Sequence, residues 1–324
     1  MSRFNPVALE CLAVLMEEGS FDRAARRLSI TQSAVSQRLR SLETDAGTVL
    51  IVRSRPLQLT AAGVRMRKYA HQLRLLRAEF QLDVQRLMPA AGDARNEEGR
   101  VSIAMDGDSM ATWASPALDA LTRSGLPLEV AVDGLGLTRE LLQDGRALGC
   151  VTDVAIPPAG CKSVALGTLD YVAVAHPDYM LEHLCAGLGA HNFFKARFVA
   201  CDGNDSVPRD FIRHAFGPDP ARLDQRFAPS AEGRLRAVLA GWGVGILPES
   251  LAREPLLRGR LSNVAPSHVM RVPLYWQCWN AESEVLDTIG AALVEAMRKA
   301  IPAPPLPEGC EDKNSDTRAP ALAA

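Results

Sequence analysis

The sequence predicts an α/β protein that carries a separate all-α segment at its N-terminus. Apolar residues recur at helical spacing in the first fifty residues, and strand-like stretches alternate with helix-like stretches from about residue 100 to residue 300. Charge follows the same division. Residues 1–90 contain 14 Lys and Arg against 8 Asp and Glu, whereas the remaining residues contain 22 Lys and Arg against 30 Asp and Glu. This asymmetry favours a polyanionic partner, most often nucleic acid, for the basic end. A solvated basic helix face is the alternative explanation.

Three short helices are predicted within the first fifty residues. Apolar residues at helical spacing between positions 7 and 16 indicate the first helix, and Gly19 ends it. Ser20 and Thr31 are residue types that cap helix N-termini, so they are expected to begin the second and third helices. The segment therefore has the helix count and the short connections of a helix-turn-helix domain.

The third helix has two different faces. Val35, Leu39 and Leu42 recur at i, i+4 and i+7, which predicts that one face is buried. On the polar side, amides suit adenine, hydroxyls suit several bases, and arginine suits guanine or phosphate. This arrangement is typical of a reader helix for double-stranded DNA, and a small helical bundle with a polar surface helix is the alternative. We assign DNA contacts here to Thr31, Gln32, Ser33, Ser36, Gln37, Arg38 and Arg40.

A β-hairpin, or wing, is predicted next, followed by a long helix. Two short extended segments flank Arg53 and Arg55, whose side chains are expected to contact phosphates from the tip of the wing. Thr60 then caps a helix from about 61 to 87, whose apolar residues follow a repeat close to 3.5. Such a seam predicts a homodimeric coiled linker, with packing against the chain's own body as the alternative. Its positions are 66, 69, 73, 76, 80, 84 and 87.

Three motifs resemble those of LysR-type transcriptional regulators: "FDRAARRLSITQSAVSQRLRSLE" at 21–43, "LTAAG" at 59–63 and "LAGWGVGILP" at 239–248. The resemblance covers nearly the whole chain to about residue 300. Within that family, the short wing, "DSMATW" and "LYW" resemble the ArgP/LysG group, which regulates the export of basic amino acids. The resemblance implies a C-terminal effector domain of two α/β subdomains, similar to periplasmic binding proteins, with a cleft between them.

The same resemblance implies the functional partners. It implies a sensed small-molecule effector, lysine or arginine, control of an exporter gene, and a homodimer or homotetramer that contacts RNA polymerase. Two other functions remain open on the residues alone. One is a cytosolic α/β solute-binding or enzymatic protein without DNA activity, and the other is an architectural DNA-binding protein with a vestigial ligand domain.

The domain boundaries follow from the patterns and the resemblance together. A polar stretch with Gly and Pro interrupts the long helix and predicts a hinge, and five prolines without periodicity predict a disordered tail. We expect a winged helix-turn-helix domain at 1–60, a dimerising linker helix at 61–88, a hinge at 89–98, effector subdomain I at 99–172 and 266–300, subdomain II at 173–265, and the tail at 301–324.

Sequence motifs give no support to catalysis. The chain contains no Walker loop, HExxH motif or GxSxG elbow, and its six histidines lack the spacing of metal ligands. We therefore expect a protein that is not an enzyme and that needs neither a cofactor nor a metal. Seven scattered cysteines without a CxxC pair, and no window near the roughly 18 apolar residues of a membrane span, predict a cytoplasmic protein that does not bind membrane.

The effector site is expected where strands end and helices begin. Open α/β sheets bind small molecules outside the carboxyl ends of their strands, beside helix N-termini. There, carboxylates would pair with an ammonium group and hydroxyls would hold a carboxylate, although each such residue could instead cap a helix. Several carboxylates in one cleft would suit a cationic amino acid. The candidates are Asp106, Asp108, Ser109, Thr112, Trp113, Asp133, Asp202, Asp205, Ser230 and Glu232.

Overall fold

The structure is a computed structural model of the 324-residue chain. It describes residues 4–52, 54, 56–87, 100–217 and 222–300, with the backbone alone for 81–87 and 135–136. The wing residues Arg53 and Arg55, the predicted hinge at 89–98 and the predicted tail at 301–324 lie outside the described residues, as do the side chains of seam positions 84 and 87.

The N-terminal domain contains three helices, α1 (Pro6–Glu18), α2 (Phe21–Arg27) and α3 (Gln32–Ala46). Ser20 and Thr31 cap α2 and α3 as predicted, because their hydroxyls accept hydrogen bonds from the backbone N–H groups of Arg23 and Ala34. Gly19 ends α1 in the left-handed conformation (φ 63°). The three helices bury one apolar core, which includes Leu9, Leu12, Leu15, Val35, Leu39 and Leu42. The helix-turn-helix prediction is confirmed.

A two-stranded wing and a long helix follow. Strands β1 (Ile51–Val52) and β2 (Gln58–Leu59) pair antiparallel, and α4 spans Ala61–Leu87. Gly63 lets the first turn of α4 approach the wing, because a Cβ at this position would lie 2.0 Å from the carbonyl oxygen of Leu50. Thr60 fastens the same junction by donating to the Val49 carbonyl at 2.8 Å. The glycine of the "LTAAG" motif therefore has a packing role.

The apolar seam predicted along α4 divides in the structure. Leu73 packs with Met66 and Ala70 on the core of the N-terminal domain, so these positions follow the alternative of packing against the chain's own body. Further along the helix, Leu75 and Ala78 join the core of the C-terminal domain. The residues of the predicted seam that stay exposed are Tyr69, Leu76 and Phe80.

The C-terminal domain begins with alternating strands and helices. Its first half contains β3 (Val101–Asp106), α5 (Gly107–Ser109), α6 (Ser115–Arg123), β4 (Leu128–Asp133), α7 (Leu135–Gln143), β5 (Gly149–Thr152) and β6 (Cys161–Ala175). A π-helical turn at Met110–Ala114 joins α5 to α6. The α/β prediction for this region is confirmed.

The second half continues the alternation and then returns to the first. It contains α8 (Pro177–His183), β7 (Arg197–Ala200), α9 (Val207–Phe216), β8 (Asp224–Phe227), α10 (Ala231–Leu239), β9 (Val244–Pro248), α11 (Glu249–Leu257), β10 (Ser262–Asn263), β11 (Met270–Trp279) and α12 (Glu284–Ala300). A 3₁₀ turn at Phe193–Lys195 precedes β7.

The strands of the C-terminal domain form one mixed sheet in the order β4-β3-β5-β11-β6-β9-β7-β8, with β10 beside the end of β6. We call β3–β5, β11 and their helices subdomain I, and β7–β10 and their helices subdomain II. The long strand β6 pairs with β11 over most of its length and with β9 only over Tyr171–Val174, so it passes from one subdomain to the other. The predicted boundary between residues 172 and 173 lies inside this strand.

The direction of the strands places the cleft. Strands β3 and β5 run parallel to each other, as do β9 and β7, and the two sets run in opposite directions because β11 and β6 lie antiparallel between them. The first set pairs with the end of β11, which lies beside the start of β6, and the second set pairs with the end of β6. Consequently the carboxyl ends of both sets face each other, which is where ligands of open α/β sheets bind.

Candidate DNA-reading surface and effector cleft

The outer face of α3 presents the polar residues that the sequence predicted. Gln32, Ser33, Gln37 and Arg40 are exposed, Ser36 is half-buried, and the opposite face is part of the core. Thr31 is also exposed at the start of the helix, where its hydroxyl lies 2.9 Å from that of Ser33. Amide, hydroxyl and guanidinium groups are therefore available on one side of one helix, as readout in the major groove requires.

Arg38 differs from its neighbours on α3. It is half-buried, and its Nη1 donates to the thiol sulfur of Cys11 at 3.6 Å, so the guanidinium lies against α1. Helical spacing brings Arg38 to the edge of the polar face, and the position of Cys11 then decides its direction. The structure gives Arg38 a contact within the domain.

The arginines of α2 are mostly paired within the protein. Arg26 forms an i,i+4 pair with Asp22, and Arg27 bonds Glu17 and Glu18 of α1 at 3.0 and 3.1 Å. Arg27 also reaches Glu129 of β4 at 3.4 Å, which joins the N-terminal domain to the C-terminal one. Arg26 and Arg27 are therefore paired within the protein, and Arg27 links the two domains.

A buried ion pair spans the cleft of the C-terminal domain. Asp108, at the start of the helix after β3, pairs with Arg234 of α10, and its second oxygen accepts a hydrogen bond from the Tyr171 hydroxyl at 2.9 Å. Arg234 also donates to the carbonyl of Ile246 at 3.2 Å. Only 6% of Asp108, 1% of Arg234 and none of Tyr171 is exposed. A charged contact of this kind depends on its partner, because an isolated buried charge is very costly.

Asp106 and Ser109 lie beside this pair. One carboxylate oxygen of Asp106 accepts from the backbone N–H of Ser109 at 2.8 Å and so caps α5. Its other oxygen, the Ser109 hydroxyl and the Nε of Arg234 are buried without a hydrogen-bond partner among the described residues. Burial raises the pKa of Asp106 to about 6, and the nearby negative charge of Asp108 adds to this effect. The cleft therefore contains unsatisfied polar atoms and two neighbouring acids.

The other predicted effector residues mostly support the backbone. Asp205 accepts from the N–H groups of Cys201 and Val207, and the Ser230 hydroxyl accepts from Gly233 at 2.9 Å, so both act as caps. These local bonds fix loops at the carboxyl ends of strands, as the capping alternative proposed. The remaining loop residues bond locally in the same way: Thr112 donates to the Asp108 carbonyl, Asp202 accepts from Asn204, and Asp133 accepts from Gly134.

Not all of these residues reach the buried part of the cleft. Asp133 lies opposite Asp106 in the sheet register, but its side chain is exposed, and Glu232 is exposed in the first turn of α10. Trp113 is 2% exposed and belongs to the core, although its indole nitrogen lacks a hydrogen-bond partner among the described residues. The buried centre of the site consists of Asp106, Asp108 and Ser109 with Arg234 and Tyr171.

Arg234 and Tyr171 were missing from the sequence prediction. A signal for Arg234 exists in the pattern of α10, where Ala231, Arg234 and Val238 recur at i, i+3 and i+7 and are all buried. An arginine on an apolar helix face needs a buried acidic partner, so its position alone points to a charge pair. Nothing similar marks Tyr171, which is one apolar residue among several in β6.

Comparison with known proteins decides the family. Residues 7–64 match the model of the bacterial regulatory helix-turn-helix protein, lysR family, and residues 94–300 match the LysR substrate binding domain. The chain is a LysR-type transcriptional regulator. The family consists of regulators rather than enzymes, and its two matched parts coincide with the reader domain and the cleft-bearing domain of this LysR-type protein.

Relatives of this regulator carry the names LysG and ArgP. It is 38% identical over 288 residues to the HTH-type transcriptional regulator LysG of Mycobacterium tuberculosis (strain ATCC 25618 / H37Rv), covering 88% of this chain and 92% of the relative. It is 34% identical over 294 residues to ArgP of Aeromonas salmonicida, covering 90% and 96%. The resemblance of the sequence to the ArgP/LysG group is confirmed.

Solved structures agree with this relationship. ArgP from Mycobacterium tuberculosis superposes with a TM-score of 0.71 at 36% identity, covering 91% of this chain and 97% of that one. Full-length LysG from Corynebacterium glutamicum with bound effector Arg superposes with a TM-score of 0.64 at 31% identity, covering 91% and 99%. None of the helices in the described residues combines the length and the apolar composition that a membrane span requires.

Proposed function

We propose that this LysR-type regulator senses a basic amino acid, lysine or arginine, in the cleft between its subdomains and controls transcription of an exporter gene for such amino acids. The observation that carries the proposal is the charge of the cleft. Two buried acids, Asp106 and Asp108, adjoin the single guanidinium of Arg234, so the site is short of positive charge when both acids are ionised. A cationic ligand would supply that charge, and an acidic ligand would add to the deficit.

The unsatisfied atoms of the cleft support an amino acid in particular. The Ser109 hydroxyl is a donor, as an α-carboxylate requires, and the free oxygen of Asp106 is an acceptor, as an ammonium requires. The bound effector Arg of the LysG relative supports the same ligand class for this chain. The names of two relatives, LysG and ArgP, support regulation linked to lysine and arginine.

The DNA contacts belong to the same proposal. We assign base contacts in the major groove to Gln32, Ser33, Ser36 and Gln37, and phosphate contacts to Thr31 and Arg40. Arg53 and Arg55 join them as phosphate contacts on sequence grounds, whereas Arg38 supports the packing of α3 on α1. The bacterial DNA that such a regulator binds lies in the cytoplasm, which is where we place its action, with RNA polymerase as a further partner.

Dimerisation through α4 completes the proposal. Tyr69, Leu76 and Phe80 lie at i, i+7 and i+11 on this helix and are exposed, Phe80 by 69% of its surface. Large apolar side chains in such a row are typical of a helix-to-helix contact between two copies. We propose a homodimer through this row, which can assemble further into a homotetramer.

A thermal-shift screen over the twenty amino acids tests the effector class. A ligand that binds the folded protein raises its unfolding midpoint by mass action, so lysine or arginine should give the largest shift and leucine and glutamate none. The largest shift with a neutral or acidic amino acid would overturn the effector assignment and leave the family unaffected.

A further inference from the structure

We propose that Arg234 is an internal competitor of the effector: its guanidinium occupies, on Asp108, the subsite that the distal cation of a basic amino acid takes when it binds. This inference rests on the proposed function and deepens it, because it assigns the cation subsite and names the side chain that fills it without a ligand.

Arg234 presents to Asp108 the same chemical group as an arginine ligand. Arg234 approaches Asp108 from subdomain II, while Asp108 belongs to subdomain I, so the guanidinium crosses the cleft as a ligand in that cleft would. An arginine ligand carries the same guanidinium, and lysine carries a cation of the same charge. The subsite therefore already has the acid and the burial that either ligand requires.

Both carboxylate oxygens of Asp108 already have a partner. One oxygen pairs with Arg234 and the other accepts from Tyr171, so a ligand cation reaches this carboxylate only by replacing one of them. Tyr171 is neutral and fixed in the middle of the sheet by strand pairing on both sides. Replacing Arg234 exchanges one cation for another, so the buried carboxylate stays paired throughout.

One nitrogen of the Arg234 guanidinium is left without a hydrogen bond among the described residues. Its Nη2 reaches Asp108 and its Nη1 a backbone carbonyl, but its Nε has no hydrogen-bond partner among the described residues. A second acid lies within electrostatic reach, since the carboxylates of Asp108 and Asp205 both raise the pKa of Arg234 against the effect of burial. A displaced guanidinium thus has Asp205 as an alternative partner.

Competition by Arg234 affects both the affinity and the selectivity for the effector. The affinity for a basic effector is reduced by the fraction of time that Arg234 occupies the subsite, so Arg234 sets the concentration at which the regulator responds. A neutral amino acid cannot displace Arg234, because Asp108 would then remain buried and unpaired. Arg234 therefore also contributes to selectivity for cations.

Calorimetry with Arg234→Ala tests the inference, and Arg236→Ala is the matched control, since Arg236 is exposed on the same helix. The probes are L-arginine and L-citrulline, which has the same shape without the charge. We expect Arg234→Ala to bind arginine at least about tenfold more tightly than the wild type, because the competitor is gone. Citrulline should show no gain, and Arg236→Ala should match the wild type. Equal or weaker binding of arginine by Arg234→Ala would overturn the inference.

Two further measurements keep the test decisive. Guanidinium chloride at low millimolar concentration should raise the unfolding midpoint of Arg234→Ala and leave that of Arg236→Ala unchanged, with sodium chloride as the ionic control. If Arg234→Ala does not fold, the double variant Asp108→Asn with Arg234→Met removes both charges, and it should lose the preference for arginine over citrulline. A retained preference would count against the subsite. If the wild type binds no basic amino acid but guanidinium still stabilises Arg234→Ala, the proposed effector is wrong and the cation subsite stands.

Discussion

Two buried arginines of this protein, Arg74 and Arg234, have very different surroundings. Arg74 of α4 bonds Glu10 through Nε and Nη2 at 2.9 and 2.6 Å and Glu17 through Nη1 at 2.5 Å, so two carboxylates share it. Arg234 has one carboxylate, one backbone carbonyl and an unsatisfied Nε. A guanidinium whose three nitrogens all donate to carboxylates is suited to a permanent structure, whereas one with a single carboxylate partner can be exchanged.

The location of each arginine agrees with this difference. Arg74 holds α1 against the linker helix α4, close to Arg27 and its contact with Glu129 of the effector domain. Arg234 lies between the two subdomains that a ligand would bring into contact. The contacts of Arg74 are therefore suited to a fixed junction, whereas those of Arg234 are suited to the exchange of one cation for another.

Arg74→Ala should have the largest effect on stability. It leaves the largely buried Glu10 without its cation and Glu17 with Arg27 alone, and loss of one partner from a buried ion pair costs about 3 to 5 kcal/mol. Urea unfolding would measure the loss, with the exposed Arg65 replaced by alanine as the control on the same helix. Free arginine should not restore the stability. A restoration like that expected for Arg234→Ala would remove the contrast between the two sites.

Leu76→Glu and Leu73→Glu should separate assembly from folding on the helix that carries Arg74. Leu76 is 59% exposed, so its variant should keep the stability of the protomer and lose the dimer. Leu73 packs on the core of the N-terminal domain, so its variant should lose stability as well. Sedimentation and urea unfolding would distinguish them. A Leu76→Glu protein with the oligomeric state of the parent would exclude the row of Tyr69, Leu76 and Phe80 as the contact.

Gln37→Ala should weaken specific DNA binding by about 1 to 3 kcal/mol at particular base pairs, because it removes an amide that reads a base edge. Arg38→Ala should leave the sequence preference unchanged, because Arg38 bonds Cys11 within the domain. Binding of operator and random duplexes at several salt concentrations would measure both. Equal losses on the two duplexes for Gln37→Ala would show that this residue does not read bases.

The pH dependence should be gradual, because it depends on the titration of one buried acid. Burial raises the pKa of Asp106 to about 6 from its usual 3.8, so the folded protein holds this proton between those values and this group adds stability as pH falls from 6 towards 4. Affinity for a basic effector should change in the opposite sense and fall by up to about tenfold per pH unit below 6, since a neutral acid attracts no cation. Asp106→Asn should flatten both profiles, and unchanged profiles would remove Asp106 from the site.

Local features of this fold could be predicted from the sequence. The buried face of α3 follows from Val35, Leu39 and Leu42, because helical spacing alone decides which side chains share a face. The caps Ser20 and Thr31 follow from the chemistry of one hydroxyl and a backbone N–H three residues later. Both depend on contacts within a few residues.

Contacts between distant residues could not be predicted in this way. The pair Asp108–Arg234 joins residues 126 positions apart on two subdomains, and spacing gives no information on which acid meets which arginine. The seam of α4 divides because Leu73 meets one core and Leu75 another, and both cores are built by other parts of the chain. The direction of Arg38 likewise depends on Cys11, 27 residues before it.

Calorimetric titration of the wild type and of Asp108→Asn with lysine, arginine, leucine and glutamate tests the central claim most directly. For the wild type we predict one binding event with lysine and with arginine, and none with leucine or glutamate. For Asp108→Asn we predict a loss of at least about tenfold in affinity for the basic ligands, while binding to DNA without ligand stays unchanged. Clear binding of leucine or glutamate with no heat from either basic amino acid, or an Asp108→Asn protein that binds arginine like the wild type, would contradict it.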